Sequence, residues 1–317
     1  MKIGAIGIDI GGTNLKAGLV DQDGSVLTSR IVPTEASLGA RHLLNKLMDM
    51  IRNLMDTADE LGLSLAGIGV GTAGQVNTHS RKVAGANGNL PEWAEALSAD
   101  ALEKETGLPA MLDNDVNVIA VGEGWKGAGR DWNDFLCITL GTGVGGCFII
   151  NKQPYRGRDG YAGEFGHMII RDGGVSSNFG NSGWWEQYAS VSGLLRELAN
   201  QDNEKLRGIH SVEQLFEHAR HNFGPALELI DKYTDMVTVG LISLIHVFNP
   251  PGIVIGGGIT AQGDFLFDRI RTRVSSSLLQ VYSVSEPTPI VPALLGNDAG
   301  VVGAARMILL SQEKTKI

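Results

Sequence analysis

The chain has 317 residues, 43% of them hydrophobic and 19% charged, with a formal net charge of −9. That length suits two modest domains, each able to bury a core. The acidic balance disfavours a general nucleic-acid binder or an anionic-membrane binder, since both need a cationic face. No run of 18 or more apolar residues occurs, so no membrane span is predicted. The opening MKIGAIGIDIGG is too short and too interrupted for a signal peptide. Cys137 and Cys147 both lie in apolar strand-like stretches. That suits buried thiols in a reducing cytoplasm better than a secreted disulfide framework, and a cytoplasmic protein is expected.

Residues 3–10, IGAIGIDI, read as a buried strand, followed by the turn GGTN, a second strand LKAGLVD and a DQDG turn. Within ARHLLNKLMDMIRNLMDTADEL, the residues Leu43, Leu44, Leu47, Ile51, Leu54, Met55 and Ala58 recur at helical three-four spacing. Strand LAGIGVGTAG and loop VAGANGNLPEW come next, then a helix over 94–106. The strand-turn PAMLDNDVN follows, where Asn114 or Asp115 caps a helix running to about residue 127. Strand alternating with helix reads as α/β.

The pattern then restarts. IDIGGTNLKAGLVD begins at Ile8, and ITLGTGVGGCFIIN begins at Ile138, 130 residues later. Each is a buried strand, a glycine turn and another buried strand. Chance likeness of two glycine hairpins is one explanation. A duplication is the other, and it implies two similar α/β domains facing each other across a cleft. The remainder is more helical, over about 186–200, 211–220, 225–248 and 263–279. One strand, GIVIGGGIT at 252–260, interrupts it, and GNDAGVVGAARMILL reads as a glycine turn opening a final helix.

Glycines at strand-to-strand turns let backbone N–H groups approach an oxyanion with no Cβ in the way. GGTN at 11–14 and GTGVGG at 141–146 therefore suit the two ends of a triphosphate. Asp9, ending its strand, is placed to hold Mg2+ directly or through water, and GGG at 256–258 suits a flat adenine. No GxxxxGK[ST] loop occurs, and no GxGxxG opens a strand-helix unit. Each turn alone is also plain hairpin chemistry; three in this order favour a nucleotide. Asp115 reads either as a helix N-cap or as a general base at a strand's carboxyl end, where α/β ligand sites gather. Taken singly, His167 reads as a core histidine and Glu186 as a surface residue.

The runs GIDIGGTNLKAGLVD, DNDVNVIAVGE, ITLGTGVGG, GEFGH, GWWEQYAS and IVIGGGI resemble the ROK family (repressors, open reading frames, kinases). The motifs stand in family order over nearly the whole chain and most resemble those of its bacterial ATP-dependent glucokinases. The resemblance implies an actin-like, hexokinase-type fold of two α/β domains around a central cleft, and usually a homodimer. The domains are expected at 1–120 and 121–317, the C-terminal helix packing back on the first. ATP and Mg2+ are the implied cofactors. Asp9, Gly11, Gly12 and Thr13 match the first phosphate motif, and Gly141, Thr142 and Gly143 the second. Gly256, Gly257 and Gly258 match the adenosine region. Asn114 and Asp115 match the sugar-binding asparagine and catalytic aspartate. Glu164, His167 and Glu186 match the three residues that hold sugar hydroxyls, and Asn89 falls in the sugar-side NLPxW loop.

One departure stands out. Most members carry C-x-C-G-x-x-G-C between the residues matching His167 and Glu186, and that histidine joins three cysteines around structural zinc. Here the cysteine positions hold Ser177, Phe179 and Trp184, which cannot form a thiolate site. No structural zinc is expected. Phe179, Trp184 and Trp185 are expected to hold the loop instead, each contributing roughly 1.5–3 kcal/mol if fully buried. That is less than the roughly 10–16 kcal/mol of a structural zinc in small peptide sites.

The implied reaction is phosphoryl transfer from ATP to the 6-hydroxyl of a hexose, glucose foremost, with Asp115 as the base. N-acetylhexosamines, mannose, fructose and β-glucosides are the other candidate substrates. Large aromatics just before Glu186 are expected to narrow the space an acetamido group needs. A sugar-binding sensor without turnover is the reading from a different class, and retention of both Asp9 and Asp115 speaks against it. A family repressor carries a helix-turn-helix domain before the first glycine motif; with Asp9 nine residues from the start of this sequence, a repressor is not the expected reading.

Overall fold

The computed structural model describes residues 2–85, 90–201, 203–283 and 286–315. The chain divides into two compact units. The first comprises Met1–Asn133, Phe148–Ala162 and Leu294–Ile317; the second comprises Asp134–Cys147 and Gly163–Ala293.

In the first unit, β1 (Lys2–Ile10) is aliphatic on both faces, as a central strand must be. It pairs antiparallel with β2 (Asn14–Asp21) across the glycine turn, Ile10 opposite Leu15. β3 (Val26–Pro33), not foreseen from the sequence, adds to the outer side of β2. Most of its residues are exposed or half-buried, as at a sheet edge, so it lacks the apolar run that marks a central strand. The helix α1 (Ala40–Glu60) crosses to β4 (Leu63–Thr72), which runs parallel to β1. Its Leu43, Leu47, Ile51, Leu54 and Ala58 are buried in one core with Ile6, Ile8 and Ile10, while Leu44 and Met55 pack at the margin.

A small hairpin of β5 (Gln75–Asn77) and β6 (Lys82–Gly85) follows. The helix expected over 94–106 is α2 (Ala99–Thr106), shorter because Ser98 caps it, accepting the Ala101 N–H at 3.2 Å. β7 (Ala110–Asn114) then lies parallel to β4 and feeds α3 (Asp115–Lys126). The finished sheet runs β3-β2-β1-β4-β7.

The second unit opens with β8 (Phe135–Leu140), a glycine turn and β9 (Val144–Ile150). The chain passes into the first unit within β9, whose far end pairs with β10 (Gln153–Pro154). Then come α4 (Glu186–Ala189) and α5 (Val191–Ala199). They are two helices where one was expected over 186–200, because Ser190 turns extended and caps α5 through the Gly193 N–H at 2.9 Å. α6 (Val212–Arg220) and the largely buried α7 (Gly224–Phe248) lead to β11 (Ile253–Gly256), parallel to β8. α8 (Asp264–Ser277) crosses to β12 (Ile290–Pro292), a strand too short for its pattern to register in the sequence. This sheet runs β10-β9-β8-β11-β12. The succession repeats that of the first sheet, strand for strand.

The last helix, α9 (Ala299–Thr315), packs Val301, Ala305, Ile308 and Leu309 with Ala5 and Val20 of the first unit. Its backbone comes so near the sheet that a Cβ on Gly7 would strike the Val301 carbonyl, and one on Gly69 the Ala304 carbonyl. Part of the glycine excess is thus close helix-on-sheet approach rather than turn chemistry. Among the described residues no helix is long and apolar enough to cross a membrane.

Candidate active site

In the first unit the β1–β2 turn is closed by the Gly11 N–H to the Asn14 carbonyl at 2.9 Å. The turn is cinched from outside by Thr34, a residue the sequence reading missed. Its Oγ1 donates to the Gly11 carbonyl at 2.7 Å, and its N–H to the Thr13 carbonyl at 2.8 Å. Thr34 is fully buried, whereas Gly11 and Gly12 are half-buried and Thr13 is exposed. Asp9 ends β1 beside this turn, half-buried, its carboxylate against Gly300 in the first turn of α9. No hydrogen-bond donor among the described residues reaches it. Burial pushes its pKa up, and the charge of Lys16 only partly opposes that. A desolvated hard-oxygen ligand without a donor, next to a phosphate-type turn, fits Mg2+.

At the β7–α3 junction the two capping alternatives separate. Asn114 is the N-cap: its Oδ1 accepts the Val116 N–H at 2.8 Å and the Asn117 N–H at 3.4 Å, while its Nδ2 donates to the Gly74 carbonyl at 3.0 Å. Asp115 is the first helical residue, half-buried, with Oδ1 accepting the Val116 N–H at 3.0 Å. Beneath them lies Asp113, which is paired with Arg156. Neither was singled out in the sequence. Asn89 lies outside the described residues. Two residues along from Pro91 in the same loop, Trp93 is fully buried and donates from Nε1 to Thr72 Oγ1 at 2.8 Å. Thr72 is the register partner of Asn114 across β4 and β7, so Trp93 is tied to the strand beside the capping residue.

In the second unit the Gly141 N–H reaches the Gly143 carbonyl at 3.0 Å, and the Gly141 carbonyl accepts the Val191 N–H at 2.8 Å. The Val144 N–H donates to Glu186 Oε2 at 3.0 Å. Helices α4 and α5 therefore hold this turn from both ends, with Thr142 exposed at its tip. Of the glycines at the two candidate nucleotide segments, Gly141 and Gly258 leave open space where a Cβ would stand. Gly257, at φ +95°, is required instead by the Leu140 carbonyl that a Cβ would strike. Gly256 is buried in β11. The open backbone at Gly141 and Gly258 is a cradle that fits a phosphate and a flat base.

Glu164 and His167 pair directly, Oε2 to Nδ1, at 3.0 Å. The hydrogen bond His167 donates to Glu164 raises the His167 pKa most, burial opposes it, and the charges of Glu164 and Glu186 add to the rise. The His167 ring lies 4.2 Å from that of Trp184. The expected three-aromatic packing of the loop needs correction. Phe179 is 62% exposed, its ring 5.9 Å from Trp184. Trp185 is fully buried, donating from Nε1 to the Met236 carbonyl at 2.8 Å and abutting Gly240 of α7. Trp185 is thus locked in the core, and of the two tryptophans it is Trp184 that lies beside His167. The loop is further held by the Val175 N–H to Tyr188 Oη at 2.7 Å and the Ser177 N–H to the Asn181 carbonyl at 2.7 Å. The donor set here does not fit zinc: Ser177, Phe179 and Trp184 offer no thiolate, and His167 Nδ1 is engaged by Glu164.

Comparison with known proteins accords with this arrangement. Residues 5–311 match the ROK family. The chain is 32% identical over 317 residues to a glucokinase from Thermotoga maritima, covering 97% of this chain and 98% of that one. It is 33% identical over 313 residues to a glucokinase from Streptomyces coelicolor, covering 95% and 96%. It superposes with a TM-score of 0.81, at 33% identity and 96% and 98% coverage, on a ROK family glucokinase from Streptomyces griseus in complex with glucose and AMPPNP. The repeated sheet is that of the hexokinase-type, actin-like fold, and a match spanning the phosphate turns, the Asn114–Asp115 junction and the Glu164–Glu186 segment means that the chain belongs to the ROK family.

Proposed function

We propose that this chain is a glucokinase, transferring the γ-phosphoryl group of ATP to the 6-hydroxyl of glucose to give glucose 6-phosphate and ADP. The observation that carries the reading is Asp115, a half-buried carboxylate opening α3 at the carboxyl end of β7, directly after its capping asparagine. Similarity along nearly the whole chain to glucokinases, one of them solved with glucose and AMPPNP, supports it. Asn89, Asn114, Glu164, His167 and Glu186 hold the sugar hydroxyls. Backbone at Gly11, Gly12, Thr13, Gly141, Thr142 and Gly143 binds phosphate, and that at Gly256, Gly257 and Gly258 binds adenosine.

Asp115 accepts the 6-hydroxyl proton as the sugar oxygen bonds to the γ-phosphorus and the bond to the β-phosphate oxygen breaks. A carboxylate is a weak base for an alcohol. It suffices because the transition state is loose and positioning contributes most. Mg2+, when bound at Asp9, supplies neutralising charge to the phosphate oxygens. The test is coupled ADP release against glucose, mannose, fructose, N-acetylglucosamine, N-acetylmannosamine and a β-glucoside. Glucose is expected to give the highest kcat/KM; equal or higher values for another sugar would overturn the glucose assignment and leave the kinase standing.

A cytoplasmic homodimer completes the proposal. It is supported by the family resemblance and by two cysteines, Cys137 and Cys147, buried in apolar strands, which suit a reducing compartment. Sedimentation showing only monomer at micromolar concentration would remove the dimer.

A further inference from the structure

Asp113 is 2% exposed, and every direction of its carboxylate is used. Oδ2 accepts Arg156 Nε at 2.8 Å and Nη2 at 2.6 Å; Oδ1 accepts the Asn114 N–H at 2.8 Å and Asn117 Nδ2 at 2.7 Å. The two Oδ1 donors belong to the strand-helix turn that presents Asp115. The carboxylate grips that turn through Oδ1 from its buried side, and two donors of the planar guanidinium converge on its Oδ2.

Arg156 arrives from Phe148–Ala162, the stretch of chain between the second glycine turn and Glu164. Its own carbonyl accepts the Gly160 N–H at 3.1 Å and the Ala162 N–H at 3.2 Å. The stretch is docked in turn by the Thr78 N–H to the Asp159 carbonyl at 3.0 Å and by Asn77 Nδ2 to Tyr161 Oη at 2.9 Å. The guanidinium is therefore held by fixed backbone behind it and by Asp113 in front.

We propose that Arg156 is a positioning residue for phosphoryl transfer, acting through Asp113 to hold Asn114 and Asp115 at their working geometry. Its effect on turnover rests on the kinase reading above; its effect on the turn does not. Without the guanidinium, a buried carboxylate is left uncompensated. Whatever relieves it, rotation or entry of water, disturbs the Asn114 N–H and Asn117 amide that it orients. A misplacement of about 1 Å at a reacting group costs up to about a hundredfold in rate. Lysine supplies charge but no fork, so it restores only part of the function.

The test compares wild type with Arg156→Gln, Arg156→Lys and the charge-free pair Asp113→Asn/Arg156→Gln, which leaves no buried charge to block folding. Steady-state kinetics on glucose and ATP are read beside amide hydrogen exchange over residues 110–118. Arg156→Gln and the paired variant are expected to lose about tenfold or more in kcat. The KM for ATP should stay within about twofold, exchange over 110–118 should quicken while β1 stays protected, and Arg156→Lys should fall between. Folded Arg156→Gln, or the paired variant where the single one does not fold, with kcat within about twofold of wild type and unchanged exchange overturns the proposal. If wild type phosphorylates no sugar, the kinase reading fails by itself. The exchange result then decides: quickened exchange over 110–118 supports the positioning role, and unchanged exchange overturns it.

Discussion

Glu186 is bonded to the phosphate-type turn of its own unit: Oε2 accepts the Val144 N–H at 3.0 Å and lies where a Cβ on Gly143 would stand. A carboxylate assigned to sugar hydroxyls is thus also one wall of a turn assigned to ATP. Gly143→Ala is expected to drive Glu186 from its place and weaken glucose binding even with no nucleotide present. Loss of one charge-assisted hydrogen bond is worth about 1.5–3 kcal/mol, or roughly tenfold and more in Kd. Gly141→Ala, whose Cβ meets no protein atom within 4 Å, should raise the KM for ATP and leave glucose binding alone. Calorimetric titration of glucose into both variants is the check, and wild-type affinity in Gly143→Ala would break the link.

Asp9 has the opposite economy, because its functional charge works against the unliganded fold. Burial raises its pKa, so folding takes up a proton between the unfolded value and the higher folded one. The stability cost is absent below the unfolded value, grows as pH rises through the window, and is complete above the folded pKa. Asp9→Asn is therefore expected to leave the melting temperature of the ligand-free protein at pH 7 equal or higher, the difference closing toward pH 4, while use of Mg2+·ATP falls by about a hundredfold or more. A melting temperature lowered at pH 7 would show that Asp9 is a structural carboxylate.

The parts of the candidate site that are legible in the sequence are those whose chemistry is local. A glycine turn, a capping asparagine and the aspartate after it sit within a few residues, so their order carries their meaning. The supports came from far along the chain. Thr34 cinches Gly11, Arg156 holds Asp113, and Trp93 reaches Thr72, and no periodicity marks a partner on another element. Elements went the same way: the paired central strands were plain from their aliphatic runs, but β3 at an edge showed no such run. The two adjacent tryptophans could not be separated by residue type. One turns into α7 and the other over His167, a choice set by the backbone ahead of α4.

Trp184 is the residue on which a metal-free loop depends. It is 9% exposed, its ring covers His167, and its backbone forms a bridge with Ile169. Trp184→Ala is expected to cost about 3–5 kcal/mol in urea unfolding, as truncation of a buried tryptophan does, and to weaken glucose binding by releasing His167. Chelator should change neither the unfolding midpoint nor the activity once Mg2+ is restored. Elemental analysis finding one zinc per chain, or an activity that only zinc restores, would overturn the metal-free account.

The role of Asp115 can be separated from that of a cap because Asn114 already fills the capping position. Asn114 Oδ1 holds the Val116 and Asn117 N–H groups, and an asparagine at 115 would still offer an oxygen to the Val116 N–H. Asp115→Asn should therefore leave the helix, the melting temperature and glucose affinity nearly unchanged. On the proposed mechanism, only the ability to accept the 6-hydroxyl proton is removed. Loss of a general base typically costs 10²–10⁴-fold in kcat, about 3–5 kcal/mol of barrier. Asn114→Ala gives the complementary outcome, with about 1 kcal/mol of stability lost with the cap and a raised KM for glucose as the principal kinetic change. The two variants are compared by thermal melting, glucose titration and single-turnover phosphorylation at saturating ATP and Mg2+. If Asp115→Asn retains more than about a tenth of wild-type turnover, the proton goes elsewhere and Asp115 is not the base.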